Sequence, residues 1–128
     1  MKDDVWNRAL GPDHSGFRMG DLALRDALRF HSQAMSGGAL SAFESLAAEE
    51  VEAAVQGFTY FRVSEAADAV RWLAEELRTT EPDDDEALDA LEAAADDRYN
   101  AAVPTDSVLV DAFEKRYDAS PEAFAPVG

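Results

Sequence analysis

Between Glu81 and Ala102 two periodicities share one stretch of chain. Leu88, Leu91, Ala95, Tyr99 and Ala102 fall within about 60° on either side of one line when the residues are turned at 100° each, the signature of an amphipathic helix. Asp85, Asp89, Glu92 and Asp96 form a second line roughly 80° round from the first, and Glu86 and Asp97 lie further round still. Pro82 followed by acids in the first turn marks the helix start, because carboxylates complement the positive end of the helix dipole. A segment of this kind buries one face and presents the adjoining one as a row of carboxylates. The stretch holds nine of the chain's 27 acidic residues, and its only basic residue is Arg98.

The rest of the chain repeats the helical period. Residues 1–20 read as an irregular arm, since Gly11-Pro12-Asp13 signals a turn and Gly16 and Gly20 discourage a helix, with Trp6 and Phe17 as anchors to the body. Asp21 stands where an N-cap belongs, and Leu24, Ala27, Leu28, His31 and Met35 follow at helical spacing until Ser36-Gly37-Gly38 ends the helix. A short helix carries Leu40 and Phe43, and a third, from about Ala48 to Arg62, buries Val51, Val55 and Phe58. Ser64 is the next N-cap signal, opening a helix with Ala66, Val70, Leu73 and Leu77 on one stripe and Trp72 off it. Pro104 stops the acidic helix, and Thr105 or Asp106 caps one with Leu109, Ala112, Phe113 and Tyr117 inward. Ser120-Pro121-Glu122 begins a last helical turn holding Phe124. No segment sustains strand-like alternation. The expected architecture is all-α, a compact bundle of five to six helices: an arm over 1–20, one helical domain over 21–124 and a free tail over 125–128.

Length and composition support one folded domain. A compact chain of 128 residues has a radius of gyration of about 14 Å and buries roughly two-thirds of its unfolded surface. At 47% hydrophobic the chain is no disordered acidic tail. Its net charge of −16 repels phosphate and anionic membrane surfaces and favours a basic protein surface as partner. Adaptation to high salt favours the same composition. With no cysteine there is no disulfide framework or thiol chemistry. Met1-Lys2-Asp3-Asp4 is no signal-peptide start and no apolar run reaches membrane-spanning length, so the expected location is cytoplasmic.

The residues do not assemble a catalytic motif. His14 and His31 are the only histidines, and neither His-x-x-x-His nor Glu-x-x-His occurs, so no metal ligand set is expected. Asp83-Asp84-Asp85 lacks the calcium-loop pattern. Exposed carboxylates on a helix are poorly placed for general acid–base work. No serine lies in Gly-x-Ser-x-Gly, and Gly37-Gly38 has no Lys or Arg nearby to complete a phosphate cradle. The expectation is a protein that is not an enzyme and has no cofactor.

The run from His31 to Phe43, a helix ending in Ser36-Gly37-Gly38 before Ala39-Leu40-Ser41-Ala42-Phe43, resembles the signature of a small bacterial domain-of-unknown-function family that includes an acidic DNA-mimic protein. Leu91 to Tyr99 and Pro121-Glu122-Ala123-Phe124 are similar to later features of that family, so the likeness runs from roughly Asp21 to Phe124. Ser36 stands where the family has asparagine and Ala39 where it has phenylalanine. The resemblance implies a helical fold, and it implies a dimeric mimic whose carboxylates occupy a DNA-binding protein's site.

The expected partner-binding residues are Asp83, Asp84, Asp85, Glu86, Asp89, Glu92, Asp96 and Asp97 of the acidic helix, with Asp68, Glu75 and Glu76 of the helix before it. Carboxylates three or four residues apart are about 4.5–6 Å apart along a helix axis, against one phosphate per about 3.4 Å of axis on a DNA strand. One stripe is too sparse for a duplex, and a second acidic surface or a homodimer would supply the rest. The leading expectation is an acidic protein-interaction module, a DNA mimic that binds a transcription regulator or other nucleic-acid-binding protein. The alternatives are an immunity or antitoxin-like protein covering a basic toxin, and a small ligand-binding domain with a pocket near His31, Tyr60 and Trp72 whose acidity serves solubility.

Overall fold

In the computed structural model, residues 2–127 are described, and these form an all-helical bundle. Seven α-helices run Lys2–Leu10 (α1), Met19–Gly37 (α2), Ala39–Ser45 (α3), Ala48–Tyr60 (α4), Ser64–Thr79 (α5), Asp85–Ala102 (α6) and Ser107–Ala119 (α7), and a 3-10 turn at Pro121–Ala123 closes the fold. The expected class holds, with seven helices in place of five or six.

The added helix is α1, whose nine residues replace nearly half of the irregular arm expected over residues 1–20. Val5 and Ala9 are buried on its inner side, and the Trp6 ring meets Phe113 edge-on with centroids 5.7 Å apart. Packing on the bundle therefore decides the state of this short segment, whose own helical preference is marginal. Gly20 was expected to discourage a helix, yet it lies inside α2. A β-carbon there would come within 2.7 Å of the Phe124 ring, so the glycine serves close approach by the C-terminal segment.

Asp21 is not an N-cap. Arg18 holds that position, and Asp21 sits one turn in, fully buried, with its Oδ2 accepting the Arg18 N–H at 3.0 Å. The same carboxylate accepts the Ala125 N–H at 2.7 Å and the Arg8 guanidinium at 2.6 Å. Arg8 also donates to the carbonyl oxygens of Ala125 and Pro126. The segment after Phe124, expected to be free, is thus tied to α1 and α2.

The centre is built where α2 crosses α4. Gly57 lies so close to α2 that a β-carbon there would stand 2.5 Å from the Ala23 carbonyl oxygen, and Ala54 and Ala27 are buried nearby in the core. Small residues let the backbones approach. Phe30, Phe58 and Tyr99 then bring α2, α4 and α6 together, with ring centroids 5.6 to 6.3 Å apart. The space left among Phe30, Ala39, Leu73 and Tyr99 is too small for water. A second aromatic group, Trp6, Phe61, Phe113, Tyr117 and Phe124, holds α7 against the α1 and α4 ends. Met35, expected inward, is half exposed near the end of α2.

Candidate acidic face

The acidic stretch divides into a turn and a helix. Glu81-Pro82-Asp83 forms a turn closed by the Asp84 N–H on the Glu81 carbonyl at 3.1 Å. Asp84, not Pro82, opens α6: its Oδ1 accepts the Ala87 N–H at 3.0 Å, which satisfies one of the free donors at the helix start. Leu91, Ala95 and Tyr99 are buried as the spacing predicts, and Leu88 and Ala102 are half-buried.

Along the carboxylate row, Asp96 parts from its neighbours. It is half-buried, because α3 packs across the C-terminal half of α6. Its Oδ1 accepts the Ala39 N–H at 2.9 Å. Gly38, at φ 93°, leaves no side chain in the way; a β-carbon there would stand 2.9 Å from the same Asp96 oxygen. Asp96 thus caps α3 from another helix, since the Gly38 cap position offers no side chain of its own. Unlike the rest of the expected set on this helix face, Asp96 has a structural role in joining α3 to α6.

The remaining acids of this stretch stay outside. Asp83, Asp85, Glu86, Asp89, Glu92 and Asp97 are exposed, and among the described residues none of their carboxylates has a hydrogen-bond or ion-pair partner. The acids of α5 are in a different condition. Asp68 pairs with Arg71 at 3.2 Å and Glu75 with Arg78, one turn apart on the same helix, and Glu76 is half-buried. The Arg78 guanidinium beside Glu75 holds that carboxyl below its usual range. Two of the three expected α5 contacts are therefore already neutralised. Trp72, which the spacing put off the α5 stripe, packs under the Arg98 guanidinium at 4.4 Å and joins α5 to α6.

His31 is not open to chemistry. It is buried between Tyr99, whose hydroxyl is 2.7 Å from Nδ1, and Asp106, whose carboxylate oxygen is 2.7 Å from Nε2. The neutral tautomer with its proton on Nε2 satisfies both contacts: Tyr99 O–H donates to Nδ1, and Nε2–H donates to Asp106. Burial, with the Asp106 charge second, pushes the Tyr99 hydroxyl well above its ordinary pKa. Asp106 occupies the α7 cap position but spends its carboxylate on this tie. His31, Tyr60 and Trp72 do not share a cavity: the first lies in the core, the second lines a groove against α7, and the third faces Arg98. Among the described residues no three His, Asp or Glu side chains converge as a metal site, and no helix is long and apolar enough to cross a membrane.

That groove was missed by sequence reasoning. It runs between the α4–α5 corner and α7 and includes Arg62, Lys115 and Arg116. One signal was present, since Lys115-Arg116 is the only adjacent basic pair in the chain. Compared with known proteins, the chain matches no family model, no curated sequence and no solved structure.

Proposed function

We propose that the protein is an acidic interaction module whose α6 face binds the basic site of a nucleic-acid-binding protein. One observation carries this reading. Among the described residues, six exposed carboxylates on α6 and its leading turn lack an intramolecular partner, whereas α5 neutralises two of its acids with its own arginines. Unpaired charges concentrated on one side attract a cationic partner and steer its approach, and they carry no internal pair that must first be broken.

The length of α6 favours a nucleic-acid-binding partner. Its 18 residues span about 27 Å, over which a DNA strand presents about eight phosphates. Asp85, Asp89 and Glu92 follow one line, with Glu86 and Asp97 on its flank, a linear charge density of the same order as one strand. A homodimer is the arrangement that would supply the second strand.

The test is capture on the immobilised chain at about 50 and 500 mM salt, where exposed attractions are strong and largely screened respectively. Wild type and the variant D85N/D89N/E92Q/D97N are compared, and duplex DNA is added as competitor. Wild type should retain DNA-binding proteins at low salt, release them at high salt and yield them to DNA, and the variant should retain few. Equal capture by both chains would sink the proposal.

A further inference from the structure

Cations are scarce in this chain, and the structure sorts them. Of eleven Lys and Arg, six pair with carboxylates: Lys2, Arg8, Arg25, Arg29, Arg71 and Arg78. Arg18 donates to the Glu122 carbonyl, and Arg98 covers Trp72. Arg62, Lys115 and Arg116 all line the groove between the α4–α5 corner and α7, and among the described residues none of the three meets a carboxylate within ion-pair distance.

The groove has the features of a ligand site. Its volume is about 850 Å³, within the range that holds small organic ligands. It exists because α7 stands off the body on large rings: Phe113 reaches Phe61 and Phe124, and the Arg116 guanidinium lies 4.1 Å over the Tyr60 ring. Stacking occupies one flat face of that guanidinium. Arg116 Nε is buried without a hydrogen-bond partner, an unmet donor in a place where such groups are rare. The start of α5 lies on the same lining. Val63 at its cap position supplies no side-chain acceptor, and among the described residues the N–H groups of Ser64 and Glu65 find no acceptor. Glu65 and Asp111 also line the groove, so three cations face two carboxylates, a balance suited to a ligand with one anionic head.

We infer that this groove binds a small organic anion. A single phosphate or carboxylate head is held by Arg62, Lys115 and Arg116 with the α5 amides, and an apolar body lies along Val108 and Ala112. The site is separate from the α6 face and takes ligands of the opposite charge to that face's partner.

The experiment is a titration of the full, ¹⁵N-labelled chain at constant ionic strength, followed by amide shifts. The probes are phenyl phosphate, benzoate, inorganic phosphate and phenol. Phenyl phosphate or benzoate should saturate with a Kd of about 1 mM or tighter and move the amides of 62–65, 115 and 116. Whichever of the two binds more tightly identifies the head. Inorganic phosphate should bind at least about tenfold more weakly, and phenol should not saturate. Arg62 and Lys115 are exposed, and among the described residues their side chains have no partner, so R62G and K115Q should keep the thermal midpoint while each weakening binding about tenfold. R62G has a further advantage: Arg62 is the one described non-glycine residue at positive φ, 62°, which glycine adopts without strain. Absence of saturation by both organic anions, phenol binding as well as they do, inorganic phosphate matching phenyl phosphate, or unchanged affinity in both variants would each overturn the assignment. Neutralising the α6 face should leave the titration unaltered, which keeps this test independent of the one above.

Discussion

Replacing Asp96 with alanine removes the acceptor that holds the Ala39 N–H at the start of α3. The site is half-buried, so the freed N–H does not recover a full water partner. Loss of a capping carboxylate costs about 0.5–2 kcal/mol, and partial burial puts this one near 1.5 kcal/mol. D96N keeps an oxygen acceptor and loses only the charge, which interacts with the helix dipole by about 0.3–1 kcal/mol. Asp89 and Glu92 belong to the same sequence row, but among the described residues their carboxylates have no partner. Neutralising either relieves like-charge repulsion at helical spacing and should stabilise by about 0.2–0.5 kcal/mol. The assay is urea unfolding followed by helical circular dichroism. With a slope of about 1.5 kcal/mol per molar urea, D96A lowers the midpoint by about 1 M, D96N by about 0.2–0.7 M, and D89N and E92Q raise it slightly. A D96A midpoint within about 0.2 M of the D89N and E92Q values would show that Asp96 is one more solvated acid and refute the placement of α3 against α6.

Two other outcomes follow from buried polar groups. D21A deletes an acceptor of three hydrogen bonds and leaves Arg8 without its carboxylate; it should destabilise by about 3 kcal/mol and expose the C-terminal segment to early proteolysis, and a loss below about 1 kcal/mol would contradict the tie. Tyr99 has its pKa raised in the folded state, so its contribution is complete below the unfolded value of 10.0 and is lost as pH climbs above it. Stability should fall about 1.4 kcal/mol more per pH unit above pH 10 in wild type than in Y99F, and parallel alkaline profiles would argue against burial of that hydroxyl.

The helical class, the limits of α4, α5 and α7 to within a few residues, and the inner face of α6 could be read from spacing. Apolar residues at a 3.6 period must be buried wherever the helix packs, and Leu91, Ala95 and Tyr99 obey that rule. Helix α1 could not be read so, because nine residues lack the length to declare themselves, and Trp6 and Val5 make it helical only against the bundle. The carboxylate row was legible as a row, but not the fact that one member is structural. Asp96 and Glu92 are alike in sequence terms and differ only because the Gly37-Gly38 turn brings α3 against one and not the other. The cationic groove was hidden for the same reason. Its three cations are separated by up to 54 residues of chain, and a long-range contact is set by how helices cross. Local periodicity therefore determined which face of each helix turns inward. Tertiary packing decided which of the outward charges are spent on the fold and which stay unpaired among the described residues.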